Sequence, residues 1–163
     1  MKSINNIFKK VCILAVVASM AGCDMLDTKP YDFVAPETFY KNETDCTMAL
    51  AGVYWTMAAE HVYGNRYSCM LSNIDDLSYY YRQNQTSAVV ANSHNTGNTD
   101  LWNTWEALYS GINNANVLLD NIDGASISDD KVKTRIKGEA KFLRAYYHFL
   151  LVQGWYEVPI RKE

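Results

Sequence analysis

The chain has 163 residues, a formal net charge of −3 and 48% apolar side chains, enough to bury one domain core of ordinary size. The acidic balance excludes a nucleic-acid binder, which needs clustered Lys and Arg to neutralise phosphates. No phosphate-cradling glycine loop, HExxH pair or GxSxG elbow occurs, and His61, His94 and His148 stand too far apart for a metal site. No catalytic residue, metal or cofactor is therefore expected.

Residues 1–22 read as a targeting segment. Lys2, Lys9 and Lys10 form its positive start, and residues 11–20 are an apolar stretch too short for a comfortable membrane span. Met20-Ala21-Gly22-Cys23 is similar to a bacterial lipobox, which makes Cys23 the expected lipidated N-terminus of the mature chain. More than two acyl chains there, at ~0.8 kcal/mol per buried methylene, give lasting attachment. Removing residues 1–22, with three lysines and no acid, takes the formal charge from −3 to −6. Cys46 and Cys69 then remain as a pair that either bridges or stays as two buried thiols.

Residues 23–35 lack periodicity and contain Pro30, so they read as an extended tether; residues 36–163 read as the helical domain. Cys46, Leu50, Val53 and Met57 recur at helical spacing and predict a helix over about 43–60, with Gly52 marking a close helix–helix approach. Residues 63–98 are the least regular part. They carry Tyr79, Tyr80, Tyr81 and Arg82, then Asn84 and further amides and hydroxyls. Aromatic rings offer stacking faces to sugars while amides and guanidinium bond the hydroxyls, so Tyr80, Tyr81, Arg82 and Asn84 are candidate ligand contacts. Three consecutive tyrosines also suit plain packing across a short strand or turn.

Asn98 caps the next helix, whose stripe is Leu101, Trp105, Leu108, Ile112, Leu119 and Ile122, ending at Gly124. Trp102, one turn from the polar loop, is the best single candidate for a sugar platform, with a place in the core as the alternative. Asn116 lies near the apolar face, where a buried amide ties helices together. The last helix opens at Ser128-Asp129-Asp130, where a side-chain oxygen can cap the first amides, and is expected to stop at Gly154 and Pro159. Val132, Ile136, Leu143, Tyr147 and Leu150 form one apolar stripe and Phe142, Tyr146, Phe149 and Val152 a second, so cover is expected on both faces. Glu139 and Arg144 are charges in this most apolar section and are read as architecture, with Asp76 as a structural partner for Arg144 or a cap.

Four stretches carry a family resemblance: Cys23-Asp24-x-Leu26-Asp27; residues 44–54, TDCTMALAGVY; Trp102, Tyr109, Ile112, Ala115 and Asn116 in one helix; and residues 138–147, GEAKFLRAYY, followed by Val158-Pro159-Ile160. Together they resemble the SusD/RagB family of glycan-binding outer-membrane lipoproteins. The resemblance implies an all-α fold of helical hairpins akin to a tetratricopeptide scaffold. It also implies a surface location, an oligosaccharide ligand, a SusC-type TonB-dependent transporter as partner, and no catalysis. Tyr156 departs from the pattern, since it stands where the family usually has glycine, and a tyrosine takes positive φ only at a cost. Members of that family are several hundred residues long, so a fragment without its own function is one alternative. A small anchored glycosidase is another; it needs two carboxylates on different elements, drawn from Glu60, Asp75, Asp76 and Glu106.

Overall fold

The computed structural model describes residues 39–72, 77, 88, 89, 91 and 93–162. Among them the regular elements are all helical: α1 (Glu43–Ala58), a π-helical turn (Glu60–Gly64), α2 (Arg66–Ser72), α3 (Thr99–Asn121) with a 3-10 turn (Ile122–Gly124), and α4 (Asp130–Trp155). An all-α fold is what the sequence predicts.

Each long helix starts on a side-chain cap. Asn42 Oδ1 accepts from Asp45 N at 3.0 Å, Asn98 Oδ1 from Leu101 N at 3.0 Å, and Asp129 Oδ1 from Lys131 N at 2.8 Å. Asp129, in an extended conformation, supplies the α4 cap in place of Ser128. Acidic residues in each first turn, Glu43 and Asp45, Asp100, and Asp130, interact favourably with the positive end of the helix dipole.

α3 and α4 form an antiparallel hairpin, legible in its cross-helix pairs. Lys137 meets Asp123 at 2.8 Å, Arg144 meets Asn116, His148 faces Tyr109, and Trp155 packs on Trp105 with ring centroids 5.3 Å apart. Numbers rise along one helix as they fall along the other. The Lys137 ammonium beside Asp123 holds that carboxyl below its usual range. α1 packs across both helices, and Ser126 N donates to Lys41 O at 2.8 Å, pinning the start of α1 to the hairpin loop.

The core lies where the three helices meet: Cys46, Leu50 and Val53 of α1, Leu108, Ile112, Ala115 and Leu118 of α3, and Ile136, Leu143, Tyr147, Leu150 and Leu151 of α4 are buried. This is the first predicted α4 stripe. The second differs from expectation: Phe142 is 66% exposed, Phe149 54% and Val152 42%. α1 and α3 both pack on the Leu143–Tyr147–Leu150 side, and on the other side, among the described residues, Tyr146 is part-buried against Tyr63.

The region after α1 is also more regular than its composition suggests. Tyr67 of α2 is buried and its hydroxyl donates to Leu150 O at 3.2 Å, so tertiary contact, not periodicity, stabilises this short helix. Gly64 permits the preceding turn, because a Cβ there would lie 2.6 Å from the Ala58 carbonyl oxygen. Cys46 and Cys69 do not form a bridge: Cys46 is buried, where burial pushes its thiol pKa up, and Cys69 is exposed with Sγ on Asn65 Oδ1 at 3.2 Å.

α4 runs through Gly154 and ends at Tyr156, with φ 63° and ψ −78°, whose N–H donates to Val152 O at 2.9 Å. The positive-φ turn that favours glycine is thus retained with a tyrosine, 83% exposed, holding it. Its ring contributes little packing while its Cβ carries the steric cost. Tyr156→Gly is therefore expected to raise stability by about 1 kcal/mol in urea titration, the relief of strain exceeding glycine's added unfolded-state entropy.

Candidate functional site around Trp102 and the end of the last helix

Trp102 sits in the first turn of α3 and is 63% exposed, so it is not a core residue. The turn that carries it is held from several sides. The Thr104 hydroxyl lies 2.8 Å from Asp100 O and 2.9 Å from His61 O, joining α3 to the π-helical turn. Arg66 faces both Asp100 at 3.7 Å and Glu60 at 3.6 Å. A large indole on a braced helix start, open to solvent, can stack on a flat apolar ligand face without rearrangement. The other predicted contacts, Tyr80, Tyr81, Arg82 and Asn84, together with Asp76 and Cys23, lie outside the described residues.

Asn116 and Arg144, both predicted to be structural, are brought together. Arg144 Nη1 donates to Asn116 Oδ1 at 2.8 Å and to Lys162 O at 3.2 Å. His148 completes the arrangement: Nε2 accepts from Arg161 N at 3.2 Å, which makes Nδ1 the protonated nitrogen, donating to Arg144 O at 2.8 Å. The Tyr109 hydroxyl donates to Pro159 O at 2.7 Å and the Arg161 guanidinium stands 5.9 Å above the Tyr109 ring. These bonds fold the segment after α4 back along the hairpin. The polar groups serve one another, so the cluster is a clasp.

Glu139 does not pair with Arg144. Five residues apart, the two project from different sides of the helix, and Glu139 instead takes Arg135 Nη1 at 2.8 Å and the Tyr54 hydroxyl at 3.0 Å. Tyr54's own pKa is raised, by desolvation first and then by that bond to the carboxylate.

The second apolar stripe of α4 forms an aromatic surface with Tyr63. Tyr146 stacks on Phe142 (6.2 Å, 7° between planes) and on Tyr63 (6.4 Å, 23°), with the two phenol oxygens 2.6 Å apart. Desolvation, and then the bond to Tyr146, push the Tyr63 pKa up. The spacing of Phe142, Tyr146 and Phe149 marks one helical face, but spacing alone does not say whether that face is covered.

Of the candidate glycosidase carboxylates, Glu60 faces Arg66 and Glu106 is exposed on α3, while Asp75 and Asp76 lie outside the described residues. Among the described residues no three His, Cys, Asp or Glu side chains come together to hold a metal ion, and no helix is long and apolar enough to cross a membrane.

The family model described as starch-binding and associating with the outer membrane matches residues 24–163. The chain belongs to the SusD-like family. Among SusD-like relatives, protein P25 of Formosa agariphila is 30% identical over 158 residues, covering 91% of this chain and 30% of that protein. Protein P2 of the same organism is 26% identical over 157 residues, covering 92% of this chain and 30% of that protein, and protein P38 is 24% identical over 161 residues, covering 98% and 31%. The chain thus spans under a third of the length of these SusD-like relatives. No solved structure matches it.

Proposed function

We propose that this SusD-like chain is part of a cell-surface lipoprotein, anchored to the outer membrane through Cys23, that binds oligosaccharide and passes it to a SusC-type TonB-dependent transporter. The observation that carries this reading is the family match across residues 24–163, which begins immediately after Cys23. Trp102 supplies the ligand platform, supported by its exposure on a braced helix start. Tyr80, Tyr81, Arg82 and Asn84 supply further stacking and hydroxyl contacts. A net negative, water-exposed body suits neutral glycans better than phosphate-bearing ligands.

Trp102→Ala is expected to weaken binding of the recognised glycan about fivefold in isothermal titration against soluble starch and a panel of other oligosaccharides, since one stacking surface is worth about 1 kcal/mol. Because the indole is exposed, the melting temperature should hold. Unchanged affinity in a folded variant would remove Trp102 from the site.

A second reading rests on two observations: the chain spans under a third of its relatives' length, and Phe142, Phe149 and Val152 on one side of α4 are exposed. On that reading glycan binding belongs to a family-length protein, and these residues contribute only part of its scaffold. Absence of binding to any glycan by the wild-type chain, with the fold intact, supports it.

A further inference from the structure

His148 stands on α4 beside the segment that folds back after the helix, and both of its ring nitrogens are committed. Nε2 accepts the Arg161 backbone N–H at 3.2 Å, and a backbone amide can only donate. Nδ1 lies 2.8 Å from the Arg144 carbonyl oxygen, which can only accept. The ring that closes the clasp is therefore the neutral one, with its hydrogen on Nδ1. A proton added at Nε2 would point at the Arg161 N–H and abolish that bond. His148 is half-buried, within reach of solvent protons.

The groups around the ring add to that effect. α4 itself supplies the Arg144 guanidinium, held by Asn116 Oδ1 and Lys162 O. α3 supplies Tyr109, whose ring meets the imidazole edge-on at 6.4 Å and whose hydroxyl burial keeps neutral by raising its pKa. The returning segment supplies Lys162 and Arg161, the latter with its guanidinium over the Tyr109 ring at 5.9 Å. Glu157 of that segment and Glu106 of α3 form no ion pair with His148 among the described residues. A charged imidazole thus meets cations and a neutral phenol, with no carboxylate paired to it.

Val158 packs against the core and Pro159 O takes the Tyr109 hydroxyl, so these two residues are held without His148. Ile160, Arg161 and Lys162 are exposed, and the backbone bonds that retain them are those of Arg161 N–H to His148 and of Lys162 O to Arg144. Displacing Arg161 carries the adjoining Lys162 with it. We propose that the clasp is a proton-operated latch: protonation of His148 at Nε2 releases residues 160–162 from the hairpin, hinged at Pro159, and deprotonation closes it. Histidine changes charge between about pH 5 and 8, so the latch is closed above that window and open below it. Release uncovers the face of Tyr109 beneath Arg161 and frees the Arg144 guanidinium from Lys162 O. This device goes beyond glycan binding and stands whether or not Trp102 holds a sugar.

Nuclear magnetic resonance on the isotope-labelled chain reads the latch at two places, the Arg161 amide and the His148 ring. From about pH 7.5 to about pH 5 the Arg161 amide should lose at least ~10-fold of its protection from hydrogen exchange, after correction for the intrinsic pH dependence of exchange. The midpoint of that loss should coincide with the titration of the His148 ring signal. The Tyr156 amide, bonded to Val152 O, should keep its protection throughout. In His148→Phe, which offers no acceptor, the Arg161 amide should exchange freely at both pH values with unchanged helix content. If that variant does not fold, the coincidence of the two midpoints in the parent decides alone. Arg161 protection that stays constant while the His148 ring titrates overturns the proposal. So does a pH-dependent loss that persists in His148→Phe, or one that Tyr156 shares, because another group or a general opening of the fold would then be responsible.

Discussion

Tyr147→Ala is expected to cost about 3–5 kcal/mol, read as a shift of the urea midpoint at neutral pH. Tyr147 is the largest fully buried side chain and stands where α1, α3 and α4 meet. Its hydroxyl donates to Val53 O at 2.6 Å, and its ring packs against the α3 backbone at Gly111. Truncation therefore removes a ring's worth of buried area, opens a cavity between three helices and deletes the bond to α1. Tyr147→Phe keeps the ring and should cost only about 1 kcal/mol.

The same residue sets an alkaline limit. Burial pushes the Tyr147 hydroxyl from 10.0 up to about 12, so the folded state holds this proton more tightly than the unfolded chain does. The resulting stability is fully present below about pH 10 and is lost as pH rises towards about 12. That tighter hold on the proton corresponds to about 2–3 kcal/mol of stability. Urea titrations from pH 8 to 12 should show this decline, and Tyr147→Phe should make it shallower. A residual slope should persist, because Tyr40, Tyr63 and Tyr67 are raised in the same direction, each chiefly by burial.

Two glycine-to-alanine changes should move stability in opposite directions. At Gly111 an added Cβ would lie 2.7 Å from Thr56 Cγ2 and 2.8 Å from Tyr147 Cε2. Thr56 is buried and Tyr147 is tethered to Val53 O, so neither moves aside freely. Gly111→Ala is expected to destabilise by about 1–3 kcal/mol despite its better helix propensity. At Gly52 a Cβ meets nothing within 4 Å, so Gly52→Ala keeps the propensity gain and should stabilise by up to about 1 kcal/mol. Thermal melts of the two variants beside the parent give both signs at once.

That contrast also shows what a sequence can and cannot reveal. Gly52 reads as the close-approach glycine because a glycine inside a helix costs stability that a close approach would explain, whereas the glycine that lets the helices touch is Gly111. Both sit inside helices, and only tertiary placement tells an open face from a crowded one. Caps and buried stripes were legible because they depend on neighbours within one or two turns: Asn98, and the run Ile136, Leu143, Tyr147 and Leu150, lie where periodicity puts them. Asn116 as a helix tie was legible from a polar amide on an apolar face, but its partner Arg144, 28 residues away, was not. The second α4 stripe was legible as an apolar face needing cover, whereas the exposure of Phe142, Phe149 and Val152 was not legible from spacing. Trp102 was singled out for its position beside the polar loop, and its exposure removes the core alternative while its role as a platform rests on the proposal above.

An ordered three-helix core carrying exposed apolar residues Phe142, Phe149 and Val152 on α4 is best probed by a thermal melt of the chain from residue 24, followed by circular dichroism together with a dye that fluoresces on apolar surface. Such a molecule should lose its helix cooperatively and bind dye below the transition. Most of that dye signal should disappear in Phe142→Asp/Phe149→Asp at unchanged helix content. A broad, non-cooperative melt with dye binding indifferent to those two substitutions would contradict it, because the exposed apolar surface would then belong to an unpacked core and not to a built face.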